Sequence, residues 1–151
     1  PPLDENSTYC NLLQAAHFSD SCVIAKNERG EAVGFVSGYR LPTDDTAYFL
    51  WQVAILEEAR GTGLAQKMID HILARPEQKS VNRLLTTITA DNTASRKMFS
   101  TWAASKNAGL HEEVFFDKQQ HFHGEHESEF MVMIAPLINN DLNKESSNGS
   151  V

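Results

Sequence analysis

The segment Arg60-Gly61-Thr62-Gly63-Leu64-Ala65 has the residue types of an anion site. Gly61 and Gly63 have no Cβ, so the turn can tighten and a ligand can approach the main chain closely. Behind them Leu64, Met68 and Ile72 recur every four residues, with Ala65, Ile69 and Leu73 beside them. That spacing predicts a helix beginning near Thr62 and stopping where Arg75 meets Pro76. The first amides of such a helix have no internal partner, and the helix dipole adds partial positive charge there, so the turn suits a phosphate. No Gly-Lys-Ser/Thr follows, which excludes a P-loop, and no third glycine stands where a dinucleotide-binding turn needs one. A tight strand-to-helix connection without a ligand would use the same residues.

A second group is His121-Phe-His123-Gly-Glu-His126-Glu127-Ser-Glu129. Its spacing lacks the second ligand cluster of a standard metal site, so no metal is expected. Strand alternation here directs His126 away from Glu127 and places Glu127 and Glu129 on one face, where a carboxylate can accept a proton or hold an ammonium. A solvated polar loop is the plainer reading. A third group, Asp91-Asn92-Thr-Ala-Ser95, fits the cap of a helix. No Ser/His/Asp or Cys/His constellation for covalent catalysis is evident.

Such groups need a scaffold. The chain has 151 residues, 41% of them hydrophobic, enough for one domain with a core. Residues 1–137 are expected to form that domain and 138–151 a polar tail. The net charge of -7 argues against nucleic acid or an anionic membrane as partner. No apolar run approaches the ~20 residues that span a bilayer. Pro1-Pro2-Leu3-Asp4 shows no signal-peptide pattern, and the lack of an initiator Met leaves an upstream segment open. Cys10 and Cys22 are expected as buried thiols in a reducing compartment, hence a cytoplasmic protein.

A helix is predicted over 7–17, capped by Asn6-Ser7, with Tyr9, Leu12, Leu13 and Ala16 on one face. Strands follow at Cys22–Lys26 and Ala32–Tyr39, joined by the turn at Asn27–Gly30. After a loop over 40–46, a long strand runs from Ala47 to Leu56 into the glycine turn. Arg83–Thr89 is the next strand. Asp91-Asn92 then opens a helix that buries Ala94, Met98, Phe99 and Trp102. Val114–Phe116 and Phe130–Ala135 close the fold as antiparallel strands. A strand-helix-strand unit needs a parallel pair and the hairpins make antiparallel flanks, so the expected class is α/β with a mixed sheet.

Arg-Gly-x-Gly-Leu-Ala after a Val-Ala-Ile strand resembles the acetyl-CoA pyrophosphate loop of the GNAT N-acetyltransferases, with Arg60, Gly63 and Ala65 at its defined positions. Asn92 and Ser95 match the Asn-x-x-Ala/Ser that follows in that superfamily, whereas Phe99 occupies a position where a tyrosine often protonates the leaving thiolate. Further motifs resemble the diaminobutyrate acetyltransferase family within it: Leu-Asp-x-Asn-Ser-x-Tyr, Gly-Phe-Val-Ser-Gly-Tyr-Arg-x-Pro, Trp-Gln-Val-Ala, Thr-Thr-Ile-Thr-x-Asp-Asn-x-Ala-Ser and His-Glu-x-Glu.

The resemblance implies a GNAT fold, mostly antiparallel with a splayed parallel pair, whose first strand and helix are lacking here. It implies acetyl transfer from acetyl-CoA to the γ-amine of L-2,4-diaminobutyrate, a step toward the compatible solute ectoine, in a homodimer. On that reading Val53, Ala54 and Ile55 hold pantetheine, and Arg60, Gly61, Thr62, Gly63, Leu64 and Ala65 hold the pyrophosphate. Asn92 and Ser95 line the cofactor. Asp4, Tyr9 and Trp51 contact substrate, and Glu129 with His126 orders the proton route. A different small amine or polyamine as acceptor, or a non-catalytic acyl-CoA sensor, fits the same loop.

Overall fold

The structure is a computed structural model, and it describes residues 7–138. Helix α1, Thr8–His17, starts at Ser7, whose Oγ accepts the Cys10 N–H at 3.1 Å. Its apolar face is largely open. Tyr9 and Leu12 are 70% and 61% exposed, Ala16 is exposed and Leu13 half-buried, while Gln14 is the buried residue. The helical spacing is right, but the neighbouring surface that would cover that face is not supplied by the described residues.

Strands β1 (Val23–Lys26) and β2 (Ala32–Leu41) form the expected hairpin. Asn27 holds its turn, accepting the Arg29 and Glu31 amides on Oδ1 at 3.0 Å each. The segment 40–46 is no loop. Arg40 and Leu41 extend β2, Pro42 and Thr43 make the turn, and β3 runs from Asp44 to Ile55. Asp44 explains the early start. Its Oδ1 accepts both the amide and the hydroxyl of Thr46, and its carboxylate is ion-paired with Arg83 at the head of β4, Arg83–Thr89.

Helix α2, Leu64–Leu73, lies between β3 and β4, and α3, Thr93–Ser105, follows β4. Strand β5 spans Gly109–Phe116, five residues longer at its start than expected, and β6 spans Glu129–Ala135. The six strands lie in the order β1-β2-β3-β4-β6-β5, with β3 and β4 parallel and every other pair antiparallel. The mixed α/β class is therefore as expected. No described helix is long and apolar enough to cross a membrane.

The core joins α2 and α3 to one face of the sheet. Met68, Ile69 and Ile72 meet Val36, Tyr48, Leu50 and Leu84, while Phe99, Trp102 and Ala103 cover Ile88, Val132 and Ile134. Ala94, expected inside, is exposed, one turn before the helix turns inward. Each large apolar side chain buried here contributes about 1.5–3 kcal/mol. Polar fasteners fix the helices as well. Trp102 Nε1 donates to Asp70 Oδ1 at 2.9 Å, and Lys106 Nζ lies 2.7 Å from the same oxygen. Beyond α2, the Arg75 guanidinium donates to the carbonyls of Ser19, Asp20 and Cys22, tying that helix to the chain leaving α1.

Candidate active site

Strands β3 and β4 run side by side only from Ala47/Arg83 to Leu50/Thr86. Past that rung β3 pairs with β2 alone and β4 with β6 alone, so the strands part. The edge of Val53, Ala54 and Ile55 that would face β4 has no strand partner. This is the splay expected from the family resemblance, and it opens a groove with main-chain donors and acceptors along one wall.

A bulge sits at the head of the groove. Leu50 pairs with Gly38 and Gln52 with Ser37, which leaves Trp51 as an extra residue in β3. The extra residue shifts the alternation: Tyr48 and Leu50 face the core helices, and then Val53 and Ile55 do. Trp51 is thereby turned out of the core and is 43% exposed, not buried as a regular aromatic strand would have it.

At the groove's other end the chain makes the short turn Glu57–Ala59 and enters the glycine segment. Arg60 Nε donates back to the Ile55 carbonyl at 3.2 Å, and Thr62 Oγ1 to the Ala59 carbonyl at 2.8 Å. Gly61 and Gly63 have φ of 74° and 75°, the left-handed region that side chains disfavour. A Cβ built on either meets nothing within 4 Å, so open space and not packing lies in front of this turn. Helix α2 begins at Leu64 with Gly63 as its cap, two residues later than expected. Lys67 N–H donates to Gly63 O at 3.1 Å; the amides of Leu64, Ala65 and Gln66 precede it and have no partner within the helix. Leu64 is half-buried and Ala65 buried, anchoring the turn to the core.

Asn92 is the cap of α3: its Oδ1 accepts the Ser95 amide at 3.1 Å. Phe99 is 2% exposed within the core, as a packing residue. Glu129 opens β6, opposite Thr89 in β4 and Phe116 in β5. Phe130 pairs with core residue Ile88, so alternation puts Glu129 on the face away from α3.

The segment 117–128 departs from the expected alternation. His126 and Glu127 precede β6 in a turn-rich loop, so they share no strand face with Glu129. Glu127 is ion-paired with Lys118, 2.5 Å away. His126 Nδ1 lies 2.9 Å from the Glu127 carbonyl oxygen, and its ring packs on Phe122 at 4.8 Å. His121 Nδ1 accepts the Asp117 amide at 2.8 Å while its ring meets Phe116 edge-on. Asp117 in turn accepts the Gln120 and Gln119 amides, which hold its carboxyl below the ordinary range. The segment is thus an exposed polar loop entering β6, as the plainer reading has it, with an aromatic stack and main-chain bonds bracing it. Among the described residues, no three His, Cys, Asp or Glu converge as a metal site.

Two expected residues stand apart. Tyr9 lies on the exposed side of α1, and Asp4 lies outside the described residues. Cys10 and Cys22 are unpaired and half-buried. A cleft of about 750 Å³ lined by Gln14, Ile24, Phe35, Ser37, Ala54 and Leu56 adjoins the groove wall, but includes neither Trp51, Glu129 nor the glycine turn. Sequence reasoning missed Arg96, which contacts three strands beside Glu129. The available signal was a cation close to the N-terminus of a helix, where the dipole disfavours it.

A parted parallel pair leading to a glycine turn at a helix start defines the class of protein. The sequence profile of the Acetyltransferase (GNAT) family matches residues 2–103, and the chain belongs to that family. It is 50% identical over 137 residues to the L-2,4-diaminobutyric acid acetyltransferase of Methylotuvimicrobium alcaliphilum, covering 91% of this chain and 79% of that one. The Halomonas elongata protein of the same name is 49% identical, with 91% and 71% covered. Among solved structures, the diaminobutyrate acetyltransferase EctA from Paenibacillus lautus, in complex with its substrate L-2,4-diaminobutyric acid and coenzyme A, is similar with a TM-score of 0.84. It is 34% identical, with 91% of this chain and 83% of that chain covered. Ard1 from Thermoplasma volcanium, at 15% identity and a TM-score of 0.70 over 90% of this chain and 84% of that one, shares the fold alone. The family and the relatives make this chain an acetyl-CoA-dependent N-acetyltransferase.

Proposed function

We propose that the chain transfers acetyl from acetyl-CoA to the γ-amine of L-2,4-diaminobutyrate, a step toward ectoine, without a metal. The observation that carries the reading is the continuous path from Trp51, along the edge of Val53–Ile55 that no strand covers, to the amides that open α2. A pantetheine arm can pair with that edge, and a pyrophosphate can lie on Arg60 to Ala65. Asn92 and Ser95 border the arm from the start of α3. The relatives supply the acceptor: their names and the ligands of the Paenibacillus structure agree on diaminobutyrate.

The amine attacks the thioester carbonyl carbon directly. A C–N bond forms, the C–S bond breaks, and a β3 amide stabilises the oxyanion between those events. An alkylammonium with a pKa near ~10 holds little free base at neutral pH, so its proton must leave first. In this reading Glu129 accepts it, His126 helps order the route, and Asp4, Tyr9 and Trp51 hold the substrate. The thiolate leaves without a tyrosine at Phe99, since a thiol pKa near ~8.5 makes it a fair leaving group, and the second proton, lost from the adduct nitrogen as the amide forms, passes to the departing thiolate or to water. The unpaired thiols of Cys10 and Cys22 fit a reducing cytoplasm, and the family resemblance favours a homodimer.

Offering L-2,4-diaminobutyrate, ornithine, lysine and spermidine in parallel tests the reading, with thiol release as the assay and NMR to locate the acetyl group. Turnover confined to diaminobutyrate, with acetyl on the γ-nitrogen, supports it. Preference for another amine replaces the acceptor, and coenzyme A binding without turnover makes the chain a sensor.

A further inference from the structure

Arg96 lies near the start of α3, yet its guanidinium is firmly held. Nη1 is ion-paired with Glu112 of β5, and both side chains are about three-quarters buried, at 27% and 28% exposure. Nη2 donates to the Thr89 carbonyl at the end of β4, at 3.4 Å. The guanidinium carbon stands over the Phe130 ring of β6, 5.5 Å from its centroid. One side chain therefore touches the end of β4, the start of β6 and the middle of β5. Its own amide donates to the Asn92 carbonyl at 3.2 Å, so it is fixed to the turn that opens α3.

Two of these contacts, at Thr89 and Phe130, flank the last rung of the ladder, while Glu112 anchors the guanidinium opposite Val132, three residues along β6 from Glu129. Thr89 pairs with Glu129, and Glu129 with Phe116, while the β5–β6 register is broken between Val114 and Phe116. A rung beside a bulge is weakly pinned by its own hydrogen bonds. A guanidinium can pin it because its planar fork serves a carboxylate and a carbonyl together while stacking on a ring. A lysine ammonium is a point charge and cannot do all three.

We infer that Arg96 is a positioning residue for the acetyl transfer: by clamping the end of β4 and the start of β6 to the middle of β5 it sets where the Glu129 carboxylate stands relative to the parted strands. The inference rests on the proposed proton-accepting role of Glu129. Arg96 acts through the backbone of Phe130 and Thr89, not on the reacting atoms.

The test compares wild type, Arg96→Lys, Glu129→Gln and the double variant, with Arg96→Gln as a second substitution should Lys fold poorly. Arg96→Lys should lower kcat about 10-fold or more, displace its pH profile, and leave KM for acetyl-CoA within about twofold. Amide exchange at Glu129 and Phe130 should quicken while α2 stays protected. The double variant should be no slower than Glu129→Gln alone, because both changes remove one function. Multiplying effects, unchanged exchange at Glu129, or a raised KM for acetyl-CoA with kcat intact would each overturn the assignment. A Glu129→Gln enzyme with wild-type kcat and pH profile would also overturn it. That failure is distinct, because it shows in a variant that keeps Arg96 and strikes the proton-accepting role itself.

Discussion

Leu50 and Thr86 form the last rung of the parallel ladder between β3 and β4, and the residue after Leu50 is the bulged Trp51. The strands thus part where one of them gains a residue. A bulge adds local twist, which turns the continuing strand away from its neighbour and swings the extra side chain outward. The groove and the exposed indole at its head share that origin.

Gly38 answers a packing demand. A Cβ there would lie 2.3 Å from Tyr48 Oη and 2.5 Å from the Phe49 carbonyl oxygen. The Tyr48 hydroxyl is fixed by donating to the Ser21 carbonyl at 2.7 Å, and burial pushes its pKa up. Gly38→Ala should destabilise by about 3 kcal/mol in urea unfolding. Adding Tyr48→Phe should recover only part of the loss, since the clash with the Phe49 carbonyl persists.

Gly63 answers a conformational demand. With φ at 75° and open space beyond it, Gly63→Ala should cost about 1–2 kcal/mol through the backbone alone. Gly63→Asp should weaken coenzyme A binding about 10-fold or more by calorimetry, because a carboxylate replaces the phosphate's place before the helix start. Equal affinity for both variants would remove this turn from the cofactor site.

Asp44 makes stability depend on acid. Hydrogen bonds from the Thr46 hydroxyl, Arg83 and the Thr46 amide lower its pKa from 3.8 to about 2. A carboxylate whose pKa falls on folding stabilises above its unfolded value and loses that contribution as pH drops through the folded one. The Tm advantage of wild type over Asp44→Asn should therefore be full above about pH 5 and shrink steadily from about pH 4 to pH 2. A pH-independent difference would mean the charge plays no part.

Asp70 ties α2 to α3 by accepting from the buried Trp102 indole. Asp70→Ala strands that donor and should cost about 2 kcal/mol. Asp70→Asn keeps an acceptor and loses chiefly the partly exposed pair with Lys106, a change of about 1 kcal/mol or less in the same unfolding assay.

What the sequence determined was local. The period of Leu64, Met68 and Ile72 placed α2, alternation placed β4 at Arg83–Thr89, and Gly61 and Gly63 marked a turn with exposed amides, because each depends on residues close in the chain. The family motifs carried the chemistry. Tertiary structure decided the rest. Whether Tyr9 and Leu12 are covered depends on a neighbouring surface, not on helical spacing. The bulge at Trp51 exists because of its registry with Ser37 and Gly38 on another strand. Arg96 became part of the site only when β4, β5 and β6 brought Thr89, Glu112 and Phe130 to one guanidinium, from three places in the chain that no spacing rule connects.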